Sequence, residues 1–245
     1  MTAGESLRLP AAVAHHALRV LRLRNGAPIV LFNGRGGEYA ASLLIDDGDT
    51  MARVGAHDPI DRESPLKITL IQALVAADKL DWVVEKAVEI GVDRIVITPA
   101  QRSVVRLDAR RGERRLQRWR EIVLSACCQC GRNRVPRVDF FASFEAVLAS
   151  LPADQPRLML LPSASSGLPR ALPGLRAALM VGPEGGFSED EVQRAVQAGF
   201  IAARIGPRIL RTETAGLAAL AALQAAVGDL ADAFARPRPS APRTS

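Results

Sequence analysis

Lysine is nearly missing from this chain. Of its 32 basic residues only Lys67, Lys79 and Lys86 are lysines, against 26 acidic residues and a formal net charge of +6. The positive charge is therefore almost all arginine, whose planar guanidinium offers several donors to a phosphate at once. A balance of this kind suits a polyanionic partner such as RNA, and it also occurs in proteins that bind none. Cysteine is scarce as well: Cys127, Cys128 and Cys130 are the three present. Cys127-x-x-Cys130 has a metal or redox spacing, but a structural zinc needs four ligands and no second pair exists. A thioredoxin-like pair would open a helix, whereas these thiols fall late in the periodic run Leu116, Trp119, Ile122, Val123, Ala126. They are expected to act as small buried hydrophobes, with no disulfide and no metal. Long apolar runs are absent too. None reaches the roughly 20 residues that cross a bilayer, and the N-terminus lacks the apolar core of a signal peptide, so a cytoplasmic protein without membrane contact is expected.

What is there divides into two compositions. Residues 1 to about 63 hold short apolar alternations and glycine turns, such as Ile29-Val30-Leu31-Phe32 before Asn33-Gly34 and Tyr39 to Leu44 after Gly36-Gly37, which predicts a small β-domain. Asp58 to Pro65 has linker composition, and from Leu66 strands alternate with helices. Ile68 to Val75, a helix from about Lys79 to Ile90 closed by Gly91, and Arg94 to Thr98 form a βαβ unit. A helix near Glu113 to Cys130, strands at Val135 to Phe140, Leu158 to Leu161 and Ala178 to Val181, and a short helix near Phe144 to Leu151 continue the pattern. An α/β fold with a parallel sheet follows. The expected division is 1–64 and 65–235, with a disordered, proline-rich tail at 236–245.

Two segments have residue choices that packing alone does not explain. Val181-Gly182-Pro183-Glu184-Gly185-Gly186-Phe187 follows an apolar strand, and its glycines permit a tight turn and close approach of a ligand to backbone amides. Ser188 then starts a helix, and Glu191 three residues on completes a Ser-x-x-Glu capping box. Ile205-Gly206-Pro207-Arg208-Ile209-Leu210-Arg211 enters a second helix at about Thr212 or Glu213 and leaves Arg211 at the junction. Each fits an ordinary βα turn or part of a ligand site. A P-loop lacks support, because no Lys-Ser/Thr follows the glycines.

The pair of segments resembles the last two motifs of SPOUT-class methyltransferases, and specifically of the RsmE-like enzymes that methylate N3 of a uridine in 16S ribosomal RNA. Lys79-Leu80-Asp81-Trp82 through Gly91-Val92, Gln101-Arg102-Ser103, Gln129-Cys130-Gly131-Arg132-Asn133-Arg134-Val135-Pro136 and His15-His16-Ala17-Leu18-Arg19-Val20-Leu21-Arg22 match that family in order, over nearly the whole chain. The resemblance implies a PUA-like β-barrel RNA-binding domain at 1–64 and a methyltransferase domain at 65–235 containing a deep trefoil knot. It implies a homodimer acting on 16S rRNA or the small ribosomal subunit, with S-adenosylmethionine as cofactor. The face of Ala215, Leu217, Ala218 and Leu220 fits either a dimer contact or an internal core. Rival activities are ribose 2′-O-methylation of tRNA or rRNA and noncatalytic RNA binding.

By that resemblance the cofactor is held by Leu160, Leu161, Pro162, Gly182, Pro183, Glu184, Gly185, Gly186, Ile205, Ile209, Leu210, Arg211, Glu213, Thr214 and Ala215, largely through backbone groups. Uridine N3–H is a weak acid, so its methylation needs a proton acceptor or stabilisation of a developing uracil anion. Arg211 and Glu184 are the catalytic candidates, Arg211 for orienting the uracil or a phosphate and stabilising that charge, and Glu184 for cofactor or base binding or as the general base. A helix cap or an interloop salt bridge is the structural alternative for each.

Arg102 and Arg132, at family-matching positions, are expected to contact RNA or shape the pocket, and RNA contacts are expected from His15, His16, Arg19 and Arg22. Of these, His15, Arg19 and Arg22 share one helical face at i, i+4, i+7. Arg106, Arg110, Arg111, Arg114, Arg115, Arg118 and Arg120 stand beside only Asp108 and Glu113, which fits a solvated helix face or a set of phosphate contacts. His57 stands isolated. Two departures from the family pattern are visible: the chain opens at Met1-Thr2-Ala3-Gly4 where relatives have an additional first strand, and Cys128 replaces a glutamate common before Gln129.

Overall fold

The computed structural model describes residues 1–46 and 49–234; the tail expected at 236–245 lies outside them. The chain forms two compact units, residues 1–62 together with 127–135, and residues 63–126 together with those from 136 onward.

The first unit carries β1 (Ser6–Arg8), α1 (Ala11–His15), β2 (Pro28–Leu31), β3 (Glu38–Asp46) and β4 (Asp49–Asp58). Among the described residues the strands pair antiparallel in the order β1-β4-β3-β2. A bulge between Tyr39 and Ala41 shifts the β3/β4 register. Tyr39 and His57 lie opposite each other with ring centroids 4.7 Å apart, and a Cβ on Gly37 would sit 2.1 Å from His57 Nε2. His57 is thus a packed cross-strand residue that requires glycine at 37. The helix expected through Arg22 is corrected: α1 ends at His15, a π-helical turn covers His16–Val20, and Arg22 has φ +53°. The i, i+4, i+7 face of His15, Arg19 and Arg22 does not form, because a π turn advances less per residue and Arg22 leaves the helix. The segment Cys127–Val135 is a structural strut of this unit. Asn133 Nδ2 donates to the Ile60 carbonyl at 2.6 Å, Gly36 N donates to the Asn133 carbonyl at 3.0 Å, and Arg134 reaches the Arg35 carbonyl at 2.8 Å and Asp61 at 3.1 Å.

The second unit holds β5 (Lys67–Ala73), α2 (Ala77–Glu89), β6 (Arg94–Thr98), α3 (Ala109–Cys130), β7 (Arg137–Phe140), α4 (Phe144–Ala149), β8 (Arg157–Leu160), β9 (Arg176–Val181), α5 (Glu189–Gln197), β10 (Phe200–Ala203) and α6 (Thr212–Val227). Of α3, the residues from Cys127 on belong with the first unit. The strands are parallel, in the order β10-β8-β9-β5-β6-β7. Strand β5 is buried along nearly its full length, as a parallel strand covered by helices on both faces must be. One core layer joins Ile71, Val96, Met159 and Met180 to Phe144, Val147, Phe187 and Phe200. Helix α6 packs on α2, β5 and β9. Its buried Gln224 accepts from Ser64 Oγ at 2.6 Å and donates to the Gly91 carbonyl at 3.0 Å, which ties the helix to both ends of the β5–α2 segment. Leu217 and Leu220 of α6 are core residues, while Ala215 and Ala218 are half-buried. The expectation that all three thiols are buried is corrected: Cys127 is, Cys128 is exposed and Cys130 half-exposed, because only Cys127 shares the inward face of α3 with Val123. No helix among the described residues is long and apolar enough to cross a membrane.

Candidate functional site

A cavity of about 450 Å³ opens where β8, β9 and β10 end. This is the edge at which open parallel sheets bind ligands, because loops diverge there beyond the carboxyl ends of the strands. The chain leaving β8 contributes Leu160, Leu161 and Pro162, and the chain leaving β9 contributes Val181 to Glu184, Gly186 and Phe187. The chain between β10 and α6 contributes Ala203 to Glu213, with Ala215 beyond it.

The loop after β9 is fixed from several sides. Gly186 N donates to the Pro183 carbonyl at 2.9 Å and Gly186 adopts φ +68°, which closes a turn that a side chain would strain. At Gly182 a Cβ would lie 3.0 Å from the Phe187 ring. The Gly182 carbonyl accepts from Thr212 Oγ1 at 2.5 Å, and that hydroxyl accepts from Gln72 Nε2 at 3.0 Å. The first turn of α6 is thereby locked to the loop through a buried polar chain. On the far side of the loop the capping box forms as expected: Ser188 Oγ accepts from Glu191 N at 3.2 Å, and Glu191 Oε2 accepts from Ser188 N at 2.9 Å. Glu191 Oε1 also accepts from Gln101 N at 2.7 Å, and Arg102 Nη1 donates to the Gly185 carbonyl at 3.3 Å.

The charged groups of the cavity come from three elements. Lys79 of α2 places its Nζ 3.0 Å from Glu184 Oε1 and 3.8 Å from Glu213 Oε2. The hydrogen bond to Glu184 holds the ammonium above its ordinary range, and the Glu213 carboxylate adds to this against the neighbouring Arg211. Lys79 is therefore a fixed cation and no proton acceptor near neutrality. Arg211 caps the start of α6 with its backbone alone, is exposed, and pairs with no carboxylate among the described residues. Neither structural alternative considered for its side chain is found. Glu184 does form an ion pair, with Lys79.

Thirteen of the fifteen expected cofactor residues line this cavity. Gly185 and Thr214 do not: Gly185 packs against Arg102, where a Cβ would be 3.1 Å from that side chain, and Thr214 points outward from α6. Lys79, Phe187, Arg204, Arg208 and Thr212 were not expected and do line it. Of these Phe187, Arg208 and Thr212 fall in or beside the two segments singled out in the sequence and Lys79 opens another family-matching motif, whereas Arg204 had no signal. Among the residues expected to touch RNA, Arg102 braces the site loop, whereas Arg132 is only 6 % exposed and has little surface to offer. His15, His16, Arg19 and Arg22 lie in the first unit.

Comparison with known proteins agrees with this architecture. A family model described as an RNA methyltransferase domain matches residues 62–224, and one described as an RNA methyltransferase PUA domain matches residues 9–49. The class is thus that of the RNA methyltransferases. The protein named ribosomal RNA small subunit methyltransferase E in Bacillus subtilis is 32% identical over 85% of this chain and 86% of its own. Its namesake in Mycobacterium bovis is 34% identical over 85% and 82%. This chain belongs to the ribosomal RNA small subunit methyltransferase E family. The crystal structure of the Neisseria gonorrhoeae member bound to S-adenosylmethionine superposes with a TM-score of 0.85 at 40% identity, covering 94% of this chain and 95% of that one.

Proposed function

We propose that this chain transfers a methyl group from S-adenosylmethionine to N3 of a uridine in 16S rRNA of the small ribosomal subunit. The observation that carries this is the cavity at the carboxyl ends of β8, β9 and β10, formed by two glycine-bearing loops with an unpaired arginine at its rim. The residues suit the cofactor. The lining includes Gly182, Gly186 and Gly206 and the apolar residues Leu160, Leu161, Ile205, Ile209 and Leu210. Among the described residues the buried Glu213 Oε2 accepts no hydrogen bond, Lys79 Nζ standing 3.8 Å off, and an amino group fits it. When bound, S-adenosylmethionine supplies an electrophilic sulfonium methyl.

The protein's own task is to orient the uracil and carry the negative charge that N3 acquires as its proton leaves. Arg211, which pairs with no carboxylate among the described residues, stabilises that charge on the uracil oxygens. Lys79 ties Glu184 to Glu213, so the loop after β9 and the first turn of α6 are held together by one cation. Glu184 contributes to cofactor or base binding with the carboxylate oxygen that Lys79 leaves open. The same proposal includes a trefoil knot in the methyltransferase unit, a barrel-like PUA unit whose His15, His16, Arg19 and Arg22 contact RNA, a homodimer, and a cytoplasmic location.

The test is incubation with methyl-labelled S-adenosylmethionine and small subunits lacking the modification, followed by nucleoside analysis. Label in N3-methyluridine is expected; label in a 2′-O-methyl nucleoside overturns the atom assigned. Arg211→Ala is expected to lower turnover by roughly 10²- to 10³-fold, the loss typical of removing one charge-stabilising donor, with cofactor affinity and melting temperature little changed. Wild-type turnover in that variant ends its assignment.

A further inference from the structure

The first turn of helix α3 differs in charge from those of other helices of its unit. The first turns of α2, α4, α5 and α6 carry Asp78, Glu145, Glu189 with Asp190 and Glu191, and Glu213. Negative charge there complements the positive end of the helix dipole. Asp108 caps the start of α3, its Oδ1 accepting from Arg111 N at 2.7 Å, but the first turn itself has no acidic residue and holds Arg110 and Arg111 instead, with Arg106 just ahead of it. Like charges also recur four residues apart, as Arg110 with Arg114, Arg111 with Arg115 and Arg114 with Arg118, where side chains are neighbours and repel.

Little of this charge is neutralised. Asp108 meets Arg111 at 3.6 Å and Asp81 meets Arg118 at 2.6 Å. Among the described residues Arg106, Arg110, Arg114, Arg115 and Arg120 have no ion-pair partner, and all but the half-buried Arg115 are exposed. At about 100° per residue, Arg110, Arg111, Arg114, Arg115 and Arg118 fall within an arc of roughly 140°. The opposite face buries Gly112, Leu116, Trp119 and Val123. A Cβ on Gly112 would lie 2.1 Å from Phe140, so the helix presses close against its neighbours and its arginine face is held outward. The chain leading into α3 also starts at the site, where Arg102 touches the Gly185 carbonyl of the loop that lines the cavity.

We propose that the arginine face of α3, led by Arg106, Arg110 and Arg114, is a phosphate-contact surface that binds the backbone of the substrate RNA beside the methyl-transfer site. This rests on the RNA methyltransferase function proposed above. The surface reads no sequence; arginines that no internal carboxylate engages release counterions from the RNA when they bind phosphates.

The test compares the full-length protein with R106Q/R110Q/R114Q and with a control of equal charge loss, R137Q/R170Q/R176Q. Each is titrated with unmodified 16S rRNA over a range of salt, and methyl transfer, cofactor binding and thermal melting are measured beside it. The α3 variant is expected to bind RNA several-fold more weakly and with a salt slope shallower by about 2, at roughly 0.7 per lost phosphate contact. Its cofactor affinity is expected to be unchanged and its melting temperature no lower. A wild-type slope in the α3 variant, or an equal flattening in the control, overturns the proposal. If the wild type methylates another atom or none while the slopes still differ, the surface stands and the activity assignment fails. If the wild type methylates uridine N3 and the slopes coincide, the activity stands and the surface fails.

Discussion

Helices α3 and α5 lead to opposite edge strands of one sheet, β7 and β10, and begin in different ways. In α5 every early residue serves the fold: Ser188 and Glu191 satisfy each other's backbone donors, three acids meet the dipole, and Glu191, only 3 % exposed, reaches over to Gln101. In α3 Asp108 supplies a cap to Arg111 N at 2.7 Å, but the arginines that follow work against the helix. Arginine at the N-terminus opposes the dipole by about 0.3–1 kcal/mol, and each like-charged i, i+4 pair adds roughly 0.2–0.5 kcal/mol of repulsion. What keeps α3 helical is its buried stripe of Leu116, Trp119, Val123 and Ala126. The difference separates residues chosen for folding from residues chosen for something outside the molecule, and places the second kind on α3.

The sharpest way to break this contrast is to remove the residue on which α5 depends. Glu191→Ala leaves the buried amide of Ser188 and the part-buried amide of Gln101 without their acceptor and is expected to cost roughly 1–3 kcal/mol, measured by chemical denaturation, with weaker cofactor binding because the loop at 182–187 loosens. A loss below 1 kcal/mol would mean that the capping box is not what holds the loop. Ser188→Ala removes half of the box and should cost about 1 kcal/mol, with a smaller effect on the cofactor. On α3 the sign reverses: Arg110→Glu is expected to stabilise the protein at low ionic strength by about 0.5 kcal/mol while weakening RNA binding. Destabilisation by that change would show that Arg110 has a folding role.

The smallest effect concerns Lys79. Its ammonium is held above the ordinary lysine range in the folded state, so its contribution is complete below the unfolded value of about 10.4 and is lost as pH rises through the higher folded value. A decline in cofactor binding on that alkaline side is expected in the wild type and should be blunted in Glu184→Gln. Equal alkaline profiles in the two would remove Lys79 from the site's architecture.

Local chemistry made much of this legible beforehand. The capping box needs only residues three apart, and Arg94–Thr98 stands out as a strand by its apolar run. The start of α3 at Ala109 was less visible than Glu113, because Gly112 and crowded arginines look like a poor helix until Phe140 is placed against them. Strand β10 escaped notice because four residues between Gly199 and Arg204 show no period of their own and become a strand only by pairing with β8. The motif from Gln129 to Pro136 was visible as a pattern, but its work, carrying Asn133 and Arg134 to Ile60, Asp61 and Arg35, was not.

By itself the sequence determined what depends on near neighbours: the glycine turns, the capped helix at Ser188, the parallel strand pattern and the arginine bias. Only the tertiary structure decided that the ends of β8, β9 and β10 converge, and that Lys79 meets Glu184 across 105 residues of chain. Turns and caps are settled by hydrogen bonds a few residues long. A cavity is settled by the order in which strands pair, which no local period encodes.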